Sequence, residues 1–166
     1  PFVVLDTVMI AKGGHPLLVE EAVTAIREAL LPLADIITPN LPEAAALLGV
    51  KEAQNIEEMA EQGRALLSLG PKAVLMKGGH LESEESPDLL VTEEGIELFN
   101  AARIATQNTH GTGCTLSAAI AALYPSHGLK NGVRLAKAYI EGAIEHADRL
   151  HVGKGIGPTH HFYRWW

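Results

Sequence analysis

Short apolar segments alternate with longer amphipathic segments over the first half of the chain, and this alternation restricts the fold more than any other feature. The short segments, typical of buried strands, are residues 2–5, 34–38 and 73–77. The longer segments carry apolar residues at helical spacing, and they are residues 17–31, 42–48 and 56–67. Strands that alternate with helices predict an α/β fold, in which a mainly parallel sheet is covered by helices on both faces.

The second half of the chain contains further predicted elements of both kinds. They are a hairpin of residues 88–92 and 96–99, an edge strand over 103–106, and two helices, one ending near Tyr124 and one spanning about 131–150. Loops are predicted over residues 11–16 and over the acidic stretch 81–87.

Length and charge narrow the class of protein. The chain has 166 residues, 47% of them hydrophobic, which suits a single domain with a sizeable core. Its net charge of −7 argues against nucleic acid and anionic membrane surfaces as partners, whereas a small anionic substrate stays compatible. The single cysteine cannot form an internal disulfide, and this composition suits a reducing cytoplasm. No apolar run reaches membrane-spanning length.

The sequence opens directly inside an apolar run, Pro1-Phe2-Val3-Val4-Leu5-Asp6, without an initiator Met. Because a natural N-terminus is usually more loosely structured, we expect the sequence to be a fragment, or the surviving part, of a longer protein. Loss of part of a sheet would expose a strand edge, so lower stability or association into a homo-oligomer is expected.

A polar stretch with two glycines, Asn108-Thr109-His110-Gly111-Thr112-Gly113-Cys114, precedes a predicted helix rich in small residues. Glycine lets the backbone turn and approach a ligand closely, and a helix start presents unpaired N–H groups and partial positive charge. The stretch therefore predicts an anion site, with phosphate as the usual occupant. Cys114 falls in the first helical turn, where the same field favours a thiolate. A tight loop around a buried structural cysteine is the alternative.

Polar side chains also follow the predicted strands. Asp6 follows the first strand, Asn40 and Glu43 follow the second, and Lys77 ends the third. Because ligands of α/β sheets gather at the carboxyl ends of strands, we expect these side chains and the loop over residues 108–114 to converge on one rim.

Four ordered motifs resemble the bacterial hydroxymethylpyrimidine/phosphomethylpyrimidine kinases of thiamine biosynthesis. They are Val4-Leu5-Asp6-Thr7-Val8-Met9, Thr38-Pro39-Asn40-Leu41-Pro42-Glu43-Ala44, Met76-Lys77-Gly78-Gly79-His80 and Asn108-Thr109-His110-Gly111-Thr112-Gly113-Cys114. The ending Gly155-Ile156-Gly157-Pro158 with His160-His161-Phe162 is similar too. The resemblance spans essentially the whole chain. It implies one domain over residues 1–166 with a ribokinase-like three-layer α/β/α fold and a mostly parallel central sheet, without the N-terminal part of the family.

The resemblance implies transfer of the ATP γ-phosphoryl group to a hydroxymethylpyrimidine and then to its monophosphate, with Mg²⁺ as the metal. The backbone N–H groups of Gly111, Thr112, Gly113 and Cys114 would form an anion hole. Cys114 would contact the substrate and take its hydroxyl proton. Because the second acceptor is already a phosphate, Cys114 should matter less in the second transfer.

The resemblance also implies roles for the residues at the strand ends. Lys77 would bind the ATP phosphates, and Asp6 and Glu43 would place Mg²⁺ beside the nucleotide, directly or through water. An ordinary strand-end lysine is the alternative for Lys77. Glu43 is equally suited to complement the start of its own helix.

Three further residues carry weaker signals. Asn40 is expected to hold its turn or to reach a phosphate of the nucleotide, and the turn role is at least as well supported. His110 is expected to donate to a phosphate or to shape its loop. Val8 is expected to line the pyrimidine pocket.

The histidines and aromatic residues near the end of the chain have other expected roles. His80, His160 and His161 do not have the spacing of a structural zinc site. The tail over residues 162–166 is expected to dock on its own domain or on a partner subunit.

Two other functions stay open at this point. A pyridoxal-type kinase of the same fold is a near alternative, because Cys at position 114 is not unique to one substrate. A non-catalytic module that binds a nucleotide or another ligand is the alternative from a different class, since part of the family's chain is expected to be missing.

Overall fold

A computed structural model describes residues 1–9, 17–81 and 84–166. The loop predicted over residues 11–16, and part of the one predicted over 81–87, lie outside the described residues. The chain forms two compact units, residues 1–102 and 103–166, called here the N-terminal unit and the C-terminal unit.

One sheet organises the N-terminal unit. Its strands, within the described residues, are β1 (Val4–Leu5), β2 (Ile36–Ile37), β3 (Ala73–Lys77), β4 (Asp88–Thr92) and β5 (Gly95–Phe99). They lie in chain order across the sheet. The first three run parallel, whereas β4 is antiparallel to β3 and β5 is antiparallel to β4. The predicted hairpin is therefore confirmed, and the parallel part of the α/β sheet is the part formed by β1 to β3.

The prediction of an edge strand over residues 103–106 is wrong. Among the described residues, the pairing of β4 and β5 continues past Phe99 as one bridge between Glu85 and Ala102, and residues 103–106 form no strand. The backbone then turns on itself, because the Thr106 N–H donates to the Ile104 carbonyl at 3.1 Å. The Thr106 hydroxyl donates to Asp148, so this segment is held by a side chain instead of a strand.

Three helices belong to the N-terminal unit. They are α1 (Glu20–Ala25), α2 (Leu41–Leu48) and α3 (Ile56–Leu67). The helix predicted over residues 17–31 is shorter than expected, because after α1 the chain widens into a π-helical turn, Ile26–Leu30, and then tightens into a 3₁₀ turn, Leu31–Leu33. Pro32 lies in that last turn and removes a backbone donor there.

The core of the N-terminal unit lies between these helices and one face of the sheet. Buried side chains from α2 and α3 pack with those of β2, β3 and β4, among them Leu47, Met59, Leu66, Met76 and Val91. Gly63 permits this close packing, since a Cβ there would lie 2.7 Å from Val91 Cγ2. The alternate residues Ile36, Leu75 and Leu90 are buried as well, as expected for a sheet covered on both faces.

The C-terminal unit is built on one long helical segment, α4 (Thr112–Glu145), followed by a 3₁₀ turn, Ala147–Arg149. Gly128 interrupts α4 with φ 69° and ψ −179°, so α4 is two helices joined at a kink. The predicted pair of helices is confirmed, although the second ends at Glu145 and not near Leu150. None of the helices described here is both long and apolar enough to cross a bilayer.

The end of the chain docks on the second half of α4. The His160 N–H donates to the Ala143 carbonyl at 2.8 Å, and the Tyr139 hydroxyl donates to the His161 carbonyl at 2.9 Å. The Tyr163 ring lies against Gly142, where no Cβ would fit. Trp166 remains largely exposed beyond this point. The tail therefore docks on its own unit, which is one of the two expected arrangements.

Substitution of Gly128 tests the break in α4. Its φ and ψ lie in a region that is essentially restricted to glycine, so we expect Gly128→Ala to destabilise the fold by about 1–3 kcal/mol. Gly132→Ala is the matched control, because a Cβ there meets only ordinary contacts at 3.6 Å and alanine favours the helix. Urea unfolding measures both. If both variants change the free energy of unfolding equally, the backbone conformation at Gly128 does not require glycine.

Candidate active site

Charged side chains meet where the parallel strands of the N-terminal unit end. Lys77 ends β3, and its Nζ lies 3.7 Å from Asp6 Oδ1 and 3.9 Å from Glu43 Oε2. Asp6 directly follows β1, and parallel strands bring their carboxyl ends to one edge of a sheet. We call this group the strand-end cluster, and it consists of Asp6, Thr7, Thr38, Asn40, Glu43 and Lys77.

Backbone pairing places the start of α2 beside Lys77. The Lys77 N–H donates to the Pro39 carbonyl at 2.9 Å, and Asn40 forms a parallel bridge with Lys77. At the helix start, the Asn40 side chain accepts from the Glu43 N–H, and the Glu43 carboxylate accepts from the Asn40 N–H, both at 2.8 Å. This capping box fixes the Glu43 side chain. The turn role predicted for Asn40 is therefore confirmed.

Glu43 is more deeply buried than capping requires. Its side chain is only 4% exposed, and burial raises the pKa of its carboxyl, opposed by the Lys77 charge and by the Asn40 N–H. The start of α3 has a similar arrangement, in which the Asn55 side chain accepts from the Glu58 N–H and the Glu58 carboxylate accepts from the Gln54 N–H, but Glu58 is exposed. Because an exposed glutamate serves that helix start, burial of Glu43 indicates an additional role beside Lys77.

Two threonines support the carboxylates. The Thr7 hydroxyl donates to Glu43 Oε2 at 3.3 Å, and the Thr38 hydroxyl donates to Asp6 Oδ1 at 3.4 Å. Asp6 Oδ2 is buried and accepts no hydrogen bond from the residues that the structure describes. A buried carboxylate oxygen without a donor is costly unless a cation or another donor reaches it.

The two carboxylates fit a magnesium ion that keeps part of its water shell. Mg²⁺ is commonly held by one or two carboxylates together with waters and substrate phosphates. Asp6 offers its unsatisfied oxygen and Glu43 offers a second carboxylate. Within the described residues, no group of three or more His, Cys, Asp or Glu side chains is arranged to hold a metal alone. The donor set therefore suits Mg²⁺ with an anionic ligand better than a closed metal centre.

The glycine loop of the C-terminal unit leads directly into α4. Gly111 is the N-cap at φ 85°, a left-handed conformation that favours glycine. In the described part of the chain no side chain caps this helix start. The Thr112 N–H donates to the Thr109 carbonyl at the long distance of 3.4 Å, and a helix start without a side-chain cap is the kind of site that suits an anion.

Cys114 lies in the first turn of α4 and is exposed. The alternative of a buried structural cysteine is therefore wrong. Cys114 borders a surface depression of about 440 Å³, whose other lining residues are Thr115, Ala118, Ala119, Tyr139 and His161. A thiol at this position is accessible to a small molecule.

Residues far along the chain hold the glycine loop in place. The Asn108 side chain donates to Asp148 Oδ1 at 2.8 Å and accepts from the Gly157 N–H at 3.1 Å. The His110 N–H donates to the Gly157 carbonyl, and the His110 carbonyl accepts from the Thr159 N–H. The backbone of His110 thus shapes the loop, while its side chain is exposed.

The structure brings together some of the predicted residues and leaves others untested. Asp6, Asn40, Glu43 and Lys77 form one cluster, as expected. Val8 is 40% exposed, and its contact with a pyrimidine stays a prediction. The sequence analysis missed Thr7, Thr38, Asp148 and the role of His161. A usable signal existed for the two threonines, since both lie inside the motifs at the strand ends.

Comparison with solved structures defines the class of protein. The chain has a ribokinase-like α/β fold, similar to a Bacillus subtilis pyridoxal kinase in an ADP complex, with a TM-score of 0.88 and 38% identity over 98% of this chain and 61% of that one. A Staphylococcus aureus pyridoxal kinase in complex with AMP-PCP and pyridoxal gives a TM-score of 0.88 and 30% identity, over 99% of this chain and 58% of that one.

The chain belongs to the phosphomethylpyrimidine kinase family, which matches residues 1–160. It is 59% identical over 165 residues to the hydroxymethylpyrimidine/phosphomethylpyrimidine kinase of Escherichia coli strain K12. That match covers 99% of this chain and 62% of the relative, so the chain spans less than two thirds of the relative's length.

Replacement of Glu43 by Gln tests whether burial of this carboxylate costs stability. A raised carboxyl pKa means that the folded state binds the proton more tightly than the unfolded state. The contribution of Glu43 to the free energy of unfolding is therefore greatest below the pKa that its carboxyl has in the unfolded state. It is lost as the pH rises through the pKa of the folded state. We therefore compare the free energy of unfolding of Glu43→Gln with that of the unaltered chain. We expect the difference in favour of the variant to increase from pH 4.5, the ordinary pKa of this carboxyl, to neutral pH.

Glu58→Gln is the matched control, because it makes the same change at the same position of an exposed capping arrangement. Urea unfolding across the pH range measures both variants. A relative stability that changes equally with pH in both variants would contradict a special cost at Glu43.

Proposed function

We propose that the chain carries the nucleotide-binding and phosphoryl-transfer residues of an ATP-dependent kinase of thiamine biosynthesis. Its acceptors are hydroxymethylpyrimidine and the corresponding monophosphate. The observation that carries this proposal is the strand-end cluster, where a largely buried ammonium group lies between two carboxylates. One carboxylate oxygen there has no donor among the described residues. Membership of the phosphomethylpyrimidine kinase family supports the choice of acceptor.

The cluster provides opposite charges for the two parts of magnesium ATP. Lys77 Nζ, on a side chain 15% exposed, would bind phosphate oxygens, while Asp6 and Glu43 would hold Mg²⁺ directly or through water. The ion they would hold supplies neutralising charge to the phosphate oxygens. Asn40 keeps the start of α2 in register with Lys77, so that the carboxylate of Glu43 stays beside the ammonium group.

The start of α4 provides the groups that act on the acceptor. The N–H groups of Gly111, Thr112, Gly113 and Cys114 stabilise the negative charge of the transferring phosphoryl group. The exposed thiol of Cys114 takes the proton of the acceptor hydroxyl, and a thiolate is favoured at a helix start.

A pyridoxal-type kinase is the second candidate, because the solved pyridoxal kinases named above have this fold at 30% and 38% identity. Val8 is proposed to contact the acceptor ring in either case. A non-catalytic module that binds ATP without turnover is the candidate from another class.

Measurement of ATP consumption with each acceptor tests the proposal. We expect Cys114→Ala to lower the rate with hydroxymethylpyrimidine by roughly 10²–10⁴-fold, the usual contribution of a general base. The rate with the monophosphate should fall much less, because that acceptor needs little proton removal. Lys77→Gln should lower both rates together, since it removes the charge that binds the nucleotide.

The other outcomes separate the candidate functions. Pyridoxal consumed faster than the pyrimidine would favour the second candidate. Saturable magnesium ATP binding without turnover would favour the non-catalytic module. A Cys114→Ala variant with unchanged rates for both acceptors would refute the role of the thiol.

A further inference from the structure

A hydrogen-bonded chain links the tail to the start of α4. Thr115 Oγ1 lies 2.7 Å from the Gly111 carbonyl oxygen and 2.9 Å from His161 Nε2. Gly111 is the glycine that turns the backbone into the helix, and Thr115 lies one turn later. His161 therefore reaches, through one hydroxyl, the backbone that carries Cys114.

The geometry assigns the direction of these hydrogen bonds. A threonine hydroxyl has a single proton to donate, and the carbonyl of Gly111 can only accept. Because the proton of Thr115 is directed to that carbonyl, His161 must donate from Nε2 to Thr115 Oγ1. A side chain that only accepts could not replace His161 here.

The backbone of His161 is held independently of its ring. Tyr139 donates its hydroxyl to the His161 carbonyl at 2.9 Å, and the adjacent His160 N–H donates to the Ala143 carbonyl at 2.8 Å. Both partners lie in the second half of α4, beyond the kink at Gly128, whereas Thr115 lies in the first half. The ring of His161 consequently ties the two halves of α4 together next to Cys114.

We propose that His161 is a positioning residue, which orients the start of α4 and the Cys114 thiol by donating a hydrogen bond to Thr115. Cys114, Thr115 and His161 line the same depression, so we expect the loss of this bond to change the surroundings of the thiol. The partial positive charge of an ordered helix start favours the reactive thiolate. The consequence for catalysis rests on the proposed function of Cys114, whereas the structural coupling does not.

Alkylation of the thiol by iodoacetamide tests this coupling without any need for kinase turnover. Cys114 is the single cysteine of the 166 residues, so the labelling rate reports on one site. The test variant is His161→Leu, which keeps bulk but cannot donate. His161→Gln, which can donate from its amide, is the conservative variant. His151→Leu controls for loss of an exposed histidine outside the depression.

We expect His161→Leu to slow alkylation at neutral pH by about threefold to tenfold, the factor that corresponds to one lost hydrogen bond. His161→Gln should restore a rate close to that of the unaltered chain, and His151→Leu should leave the rate unchanged. A higher rate for His161→Gln than for His161→Leu would show that the hydrogen-bond donor matters, because both side chains occupy space but only Gln can donate.

A double-mutant cycle tests whether His161 acts through Thr115. Thr115→Val removes the hydroxyl with little change of shape, and it should slow alkylation to a similar degree. Adding His161→Leu to Thr115→Val should then have little further effect, because the intermediate group is already gone. Multiplied effects in the double variant, unchanged rates, or faster alkylation in either single variant would overturn the proposal. Slow ATP turnover with the expected labelling rates would instead count only against the kinase function.

Discussion

The hydrogen bond from the Lys77 N–H to the Pro39 carbonyl sets the geometry of the strand-end cluster. It extends the pairing of β2 and β3 beyond the last residue of β2, so the turn at Asn40 is fixed against the end of β3. The capping box then fixes Glu43 relative to Asn40. A carboxylate buried in this way must be compensated, and the Lys77 ammonium, the Asn40 N–H and the Thr7 hydroxyl together provide the compensation. The position of Glu43 beside Lys77 therefore follows from one backbone contact together with the capping box.

The charges of the cluster are only partly balanced within the protein. One ammonium group faces two carboxylates at 3.7 and 3.9 Å, distances that exceed a direct hydrogen bond. Asp6 Oδ2 is buried, and the described part of the chain offers it no donor. A ligand that brings both a cation and an anion relieves both sides of this arrangement, because the cation approaches the carboxylates and the anion approaches Lys77. Magnesium ATP has this composition, whereas a simple anion would add to the excess negative charge.

The parts of the fold that could be predicted are those specified by neighbouring residues. The helix start at Asn40, the stop at Gly49 with φ 68°, and the hairpin turn before Gly95 all follow from local residue types. The groups that were missed depend on distant pairing. Thr7 meets Glu43 across 36 residues, and Thr115 meets His161 across 46 residues. No local pattern specifies such partners, and the same reason explains why residues 103–106 form no strand although their composition favoured one.

The starts of α2 and α4 show two opposite uses of the same physical feature. Each helix start has unpaired N–H groups and partial positive charge. At α2 the side chains of Asn40 and Glu43 satisfy these groups, so this helix start is already neutralised and cannot serve an anion well. A phosphate in the N-terminal unit would then need a separate cation, and Lys77 is the residue proposed to provide it. At α4 the cap is Gly111, which has no side chain to offer, and the Thr112 N–H makes only a long contact of 3.4 Å with the Thr109 carbonyl. The two helix starts thus differ in whether a side chain of the protein caps them.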